Sequence, residues 1–264
     1  MISSFDYIGV DMPYTEHYRL FAEAGFDTVM LWHGEDFGEE MRAENRPAQA
    51  RSYGLTIENI HAPFDINYIW DDEDSEDARE TLQNFLQCID DCADYEIPAL
   101  VIHADLSTFA PPICDPGLER WAALVRRAED RSVNLAVENM LNACQVARAT
   151  KLLEVFDSPR FGYCFDIGHH NICGDADWLT RWPNRLKALH LCDNNGIKDQ
   201  HLLPFNGNID WPAMMKQIVA TGYKGAVSLE IQIEDDRMHE PSAEYIARAY
   251  ASAVKVEQLW KSLI

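Results

Sequence analysis

Two hydrophobic runs in this chain end in a glutamate, NLAV before Glu138 and AVSL before Glu230. An apolar setting penalises an ionised carboxylate unless a cation or a hydrogen-bond donor meets it. Other short β-rich segments end in related chemistry: His61, His103, Asp166 with His169 just beyond, and His190, while Asp199 and His201 follow the seventh segment. Carboxylate oxygens and imidazole nitrogens without a thiolate suit Mn²⁺, Co²⁺, Mg²⁺, Zn²⁺ or Fe²⁺. Singly, each residue has a plainer reading as a strand cap, a satisfied core histidine or a helix start. Jointly, six of the nine histidines stand at or just beyond strand ends, and a divalent-metal site is the economical explanation.

The elements that must position these groups alternate. Strand-like segments are YIGVDM at 7 to 12, TVMLW at 28 to 32, TIENIH at 56 to 61, ALVIHA at 99 to 104, NLAVEN at 134 to 139, GYCFDI at 162 to 167, LKALHL at 186 to 191 and AVSLEI at 226 to 231. Helix-like stretches separate them. Ser75 to Tyr95 carries Leu82, Phe85, Leu86 and Ile89 at helical spacing, and further helices are expected at Pro116 to Arg131 and Pro241 to Ile264. The last should place Tyr245, Ala249, Ala253, Val256 and Trp260 on one face. Alternation implies parallel strands with right-handed crossovers, and eight units close a single (β/α)₈ TIM barrel over residues 1–264, whose strand ends ring one mouth. A doubly wound open sheet is the competing fold. No Gly-x-Gly-x-x-Gly or P-loop pattern supplies its usual nucleotide cradle.

The hydrophobic fraction of 47% is that of a folded globular chain. Seven scattered cysteines without a C-x-x-C read as reduced packing residues, which, with no signal-like start and no long apolar run, predicts a cytoplasmic protein with no membrane partner. A net charge of −22 opposes nucleic acid as a partner, because binding to phosphate backbones depends on lysine and arginine. His17 in the first helix and His239 in a charged loop read as solvated, and His170 as undirected.

HAP at 61 to 63, VEN at 137 to 139, DIGH at 166 to 169, HLCDN at 190 to 194 and DQHLLPFNGNIDW at 199 to 211 together resemble the xylose isomerase-like barrel superfamily. That group includes sugar isomerases and epimerases and the metal-dependent apurinic endonucleases. In the first branch the resemblance implies one metal held by Glu138, Asp166, His190 and Glu230. In the endonuclease branch it implies a trinuclear cluster with added ligands His61, His103, His169, Asp199 and His201, and hence a phosphodiesterase as the alternative function. The acidic stretch WDDEDSEDARE after the third strand and the net charge favour the sugar branch. Ketose 3-epimerases commonly follow the seventh-strand histidine with an arginine, whereas CDNNGIKDQH offers only Lys198. A small neutral sugar or polyol is therefore the expected substrate.

The expected chemistry is metal-assisted proton transfer on a hydroxy-carbonyl sugar, with Glu138 and Glu230 as the catalytic acid-base pair. His61, His103, His169, Asp199 and His201 would contact substrate or a second metal. Trp32 and His33, ending the second strand, would form a sugar-facing wall. A barrel that binds sugar without turning it over is the remaining class, and loss of a glutamate would have favoured it.

Overall fold

The structure is a computed structural model that describes residues 1–10, 12–64, 68–73, 75–107, 109, 111–174, 176–233 and 242–264. The first half runs β1 (Ile2–Phe5), α1 (Tyr14–Ala24), β2 (Thr28–Trp32), α2 (Glu39–Glu44), α3 (Arg46–Ser52), β3 (Thr56–His61), α4 (Glu76–Asp94), β4 (Ala99–Ile102) and α5 (Asp115–Arg131). The second half runs β5 (Asn134–Glu138), α6 (Ala143–Val155), β6 (Phe161–Asp166), α7 (Ile167–Cys173), α8 (Trp178–Arg181), β7 (Leu186–His190), α9 (Trp211–Ala220), β8 (Val227–Leu229) and α10 (Ser242–Ser262).

All the strand pairs are parallel, in the order β7-β6-β5-β4-β3-β2-β1-β8. The ring closes between β7 and β8 through a parallel bridge of Leu191 with Leu229. There Leu191 N–H donates to the Ser228 carbonyl at 2.9 Å and Glu230 N–H to the Leu191 carbonyl at 3.2 Å. The fold is thus a single (β/α)₈ barrel, and the open doubly wound sheet is excluded.

Helix boundaries follow local chemistry. Ser75 caps α4 by accepting from Ala78 N–H, and Glu76 and Asp77 place negative charge at its positive end. Phe85, Cys88, Ile89 and Cys92 then form the buried stripe. The acidic stretch after β3 is therefore only partly loop. Asp71 is also neutralised, 2.6 Å from the buried Arg148, and Asp74 lies outside the described residues. In α10 the five expected core residues are buried, although its start at Pro241 lies outside the description. No helix among the described residues is long and apolar enough to cross a membrane.

The first strand corrects the sequence reading. It is ISSF at Ile2–Phe5, wholly buried, with Ser3 opposite Thr28 and Ile2 opposite Val227. Two serines hide it from hydropathy. YIGV forms the loop that follows, turned by Gly9 at φ 80° and held where the Ile8 carbonyl accepts from Ile233 N–H at 2.9 Å. His17 is corrected too: it lies in α1 but is buried, with Nδ1 2.7 Å from the Asp6 carbonyl. His239 lies outside the described residues, and His170 packs against Phe165.

Strand alternation places the site. Val101, Ala136, Cys164 and Ala188 form an apolar cluster separate from the main core, in the barrel interior. Two residues further along the same faces stand His103, Glu138, Asp166 and His190. The intervening residues, Ile102, Val137, Phe165 and Leu189, belong to the main core packed under the helices.

Candidate functional site

Four strand ends converge. Glu138, Asp166, His190 and Glu230 each offer a ligand atom, and these atoms lie within 4.8 Å of one another. His190 Nδ1 is 2.8 Å from Glu138 Oε1 and 3.0 Å from Glu230 Oε2. On the other side of Glu138, Oε2 lies 3.0 Å from His103 Nε2 and 3.3 Å from His61 Nε2. Beyond them Asp199 Oδ2 sits between His169 Nε2 at 3.2 Å and His201 Nε2 at 3.0 Å.

Three of these imidazoles are oriented in one way. Nδ1 of His61, His169 and His201 lies against the backbone carbonyls of Ala62 at 2.6 Å, Asn139 at 2.9 Å and Glu230 at 3.0 Å. A carbonyl accepts, so Nδ1 carries the proton and donates. Each ring then aims Nε2 into the centre, the arrangement that fixes a metal-ligating histidine.

Conserving the loop shapes requires polar clamps that sequence reading missed. Asn139 Nδ2 donates to the Asp166 carbonyl and its Oδ1 accepts from Asp166 N–H, both at 2.8 Å. Asp166 Oδ1 in turn accepts from His169 N–H at 2.6 Å, capping α7. Asp193 accepts from Asn194 N–H, Ile209 N–H and Trp211 Nε1–H at 2.9, 3.2 and 2.8 Å. That closes the loop carrying Asp199 and His201. Glycines complete the fit: a Cβ on Gly168 would stand 2.5 Å from Cys192 Sγ, and one on Gly207 would collide with the Asn194 carbonyl and Asp193.

The centre crowds four carboxylates, Glu138, Asp166, Asp199 and Glu230, among its imidazoles. Burial, joined by the neighbouring Glu230 and Glu138 carboxylates, pushes Asp166 up to about 7. Burial opposes charge on His169 and His201 as well, yet Asp166 and Asp199 beside the one, and Asp199 and Glu230 beside the other, raise both to about 10. Glu230 is held at about 2 by His190 against the opposing effect of burial. Asp166 Oδ2 and Asp199 Oδ1 are buried without a hydrogen-bond partner. Crowded carboxylates, inward-aimed imidazoles and orphaned donor atoms together fit a divalent cation. Cys192, read from sequence as packing, also brings Sγ within 4.8 Å of ligand atoms on Asp199 and His201.

Above this centre is a cavity of about 240 Å³ walled by Phe5, Phe64, Leu106 and Met140 and floored by His61, His103, His169, Asp199, His201 and Glu230. Glu230 faces it, while Glu138 lies a layer below, fully buried. Trp32 backs the wall, stacked 5.5 Å from Phe64. His33, expected beside it, is not brought to this group. Alternation turns it outward, where Nε2 lies 2.7 Å from Asp91 and Nδ1 3.5 Å from Cys88 of α4.

The Xylose isomerase-like TIM barrel family matches residues 18–252, and the chain belongs to that family. An uncharacterized protein of Sinorhizobium fredii, y4fM, is 29% identical over 274 residues, covering 91% of this chain and 87% of that one. The fructoselysine 3-epimerase of Shigella flexneri is 23% identical over 240 residues, covering 83% and 86%. Among solved structures, a D-psicose 3-epimerase with D-tagatose from Clostridium cellulolyticum H10 superposes with a TM-score of 0.80 at 14% identity, covering 98% of this chain and 99% of that one. Two of these similar proteins carry the names of sugar epimerases, and they share this chain's barrel fold.

Proposed function

We propose that this chain is a divalent-metal-dependent epimerase or isomerase that moves a proton on a small neutral hydroxy-carbonyl sugar or polyol. The observation that carries the reading is the convergence of Glu138, Asp166, His190 and Glu230 with buried, unpartnered donor atoms beneath a partly apolar cavity. When bound, the ion supplies positive charge that stabilises the oxygen anions of an enediolate. Glu230, facing the cavity, takes or returns the carbon-bound proton, and Glu138 is its partner across His190. His169 and His201 stand on the cavity floor and donate to or accept from substrate hydroxyls. Phe64, backed by Trp32, gives the apolar face on which a sugar ring rests. Elemental analysis of the purified protein, repeated after chelation, tests the metal. The reading expects bound divalent metal whose removal abolishes turnover on a ketose panel.

Hydrolysis of a phosphodiester by a three-ion centre is a second reading, favoured by the separate His169, Asp199 and His201 group. No lysine or arginine lines the described walls of the cavity to hold a phosphate. Incubation with abasic-site duplex DNA at low salt tests it, and the sugar reading expects no incision.

A further inference from the structure

A second cavity, of about 640 Å³, shares no lining residue with the first and is lined in part by Tyr7, Tyr14, His17, Glu40, Glu44 and Gln49. The His17 ring is 1% exposed. Its Nδ1–H donates to the Asp6 carbonyl, and burial holds the imidazole below its ordinary pKa, so the ring is neutral and Nε2 keeps its lone pair. That atom is buried and has no partner. Gln49 is similar: Nε2 donates to the Glu44 carbonyl at 2.7 Å, leaving Oε1 buried and unpaired.

The unpaired acceptors of His17 and Gln49 favour a donor, and they share the lining with the hydroxyls of Tyr7, Tyr14 and Thr15. Glu40 and Glu44 add two carboxylates, and no described lining side chain is cationic. Tyr7 adds a π face, whereas that of Tyr14 is taken by the Arg46 guanidinium, 3.5 Å from its ring centroid. A metal ion does not fit, because no group of metal-ligating atoms is gathered there among the described residues. A carboxylate or phosphate would meet the repulsion of Glu40 and Glu44.

We propose that this cavity binds an organic ammonium group, with His17 Nε2 and Gln49 Oε1 accepting its hydrogen bonds and Glu40 and Glu44 balancing its charge. An aromatic run joins it to the first cavity: Tyr7 lies 5.6 Å from Trp32, which stacks 5.5 Å from Phe64. The ammonium therefore belongs to a free amine or to an aminoalkyl arm on a sugar held at the first cavity. The inference stands apart from the proton-transfer reading, since its test needs neither metal nor turnover.

The experiment titrates the full chain with n-butylammonium chloride and, as control, n-butanol, following the ¹⁵N resonance of His17 Nε2. The expected result is a saturable shift with the amine alone, weakened about tenfold or more in an E40Q/E44Q variant, and, read by isothermal titration calorimetry because the reporter nitrogen is gone, loss of binding in His17→Phe. Both carboxylates are exposed, and urea midpoints verify that the variants fold. No shift with the amine, an equal shift with n-butanol, or unchanged affinity in both variants overturns the proposal. Fructosyl-cadaverine separates the sources: binding about tenfold tighter than both n-butylammonium and fructose identifies the sugar arm. Affinity equal to n-butylammonium identifies a free amine.

Discussion

The Asn139 side chain grips the backbone of Asp166 from both sides, donating to its carbonyl and accepting from its N–H at 2.8 Å each. The Asn139 carbonyl also fixes the tautomer of His169. Neither contact touches substrate, so Asn139 is a positioning residue. Asn139→Ala is expected to weaken metal binding by about 10- to 100-fold, the usual effect of removing a partner that orients ligands. Metal titration of the apo-protein measures it, and excess metal should restore most turnover.

Glu230→Gln is expected to lower kcat by about 10²- to 10⁴-fold with a smaller change in KM, because it removes an acid-base group and keeps its shape. Glu138→Gln should lower kcat and bound metal together, since Glu138 lies beneath the cavity between His190, His61 and His103. Steady-state kinetics with metal content measured on the same samples separates the two. Near-normal turnover in a fully metallated variant removes that residue from the proton transfer.

Arg46 and Asp6 form a buried ion pair at 2.7 Å, both almost fully shielded from solvent. Asp6 also accepts from Tyr18 and from Trp32 N–H, and so ties the loop after β1 to the end of β2. Arg46→Met leaves that carboxylate uncompensated, and a loss of about 3–5 kcal/mol is expected in urea unfolding. The R46M/D6N pair should recover part of it.

Glu58 reaches from β3 to hydrogen-bond Ser228 after the barrel has brought β8 opposite. Burial raises its carboxyl above the ordinary value of 4.5, against the lowering effect of the serines. A carboxyl raised on folding contributes stability that is full below 4.5 and lost as pH rises through the folded value. Glu58→Gln lacks that loss. The variant's stability relative to wild type should therefore increase as pH rises above 4.5 in urea titrations.

Legibility followed hydropathy. NLAVE, AVSLE and LKALH announce both strand and functional end, because an apolar run stopped by a charged or imidazole group is what a barrel strand with a site at its mouth must look like. ISSF was illegible because its serines are buried where hydropathy expects solvent, and YIGV beside it is the more apolar string. Trp32 and His33 were adjacent in sequence, yet a period of two sends them to opposite faces. Asn139 and Asp193 act through backbone groups remote in sequence, so no spacing betrays which carbonyl or N–H they will meet. His17 was hidden for the same reason: its partner is the Asp6 carbonyl.

Deuterium wash-in reports whether this site moves a carbon-bound proton of a sugar. Metal-replete protein is incubated in D₂O with a panel of ketoses and aldoses, with and without a chelator, and the sugars are analysed by NMR. Deuterium is expected at a carbon adjacent to the carbonyl of at least one sugar, lost on chelation and in Glu230→Gln. Absence of exchange in every sugar, with efficient incision of abasic DNA by the same preparation, would contradict proton transfer at this site.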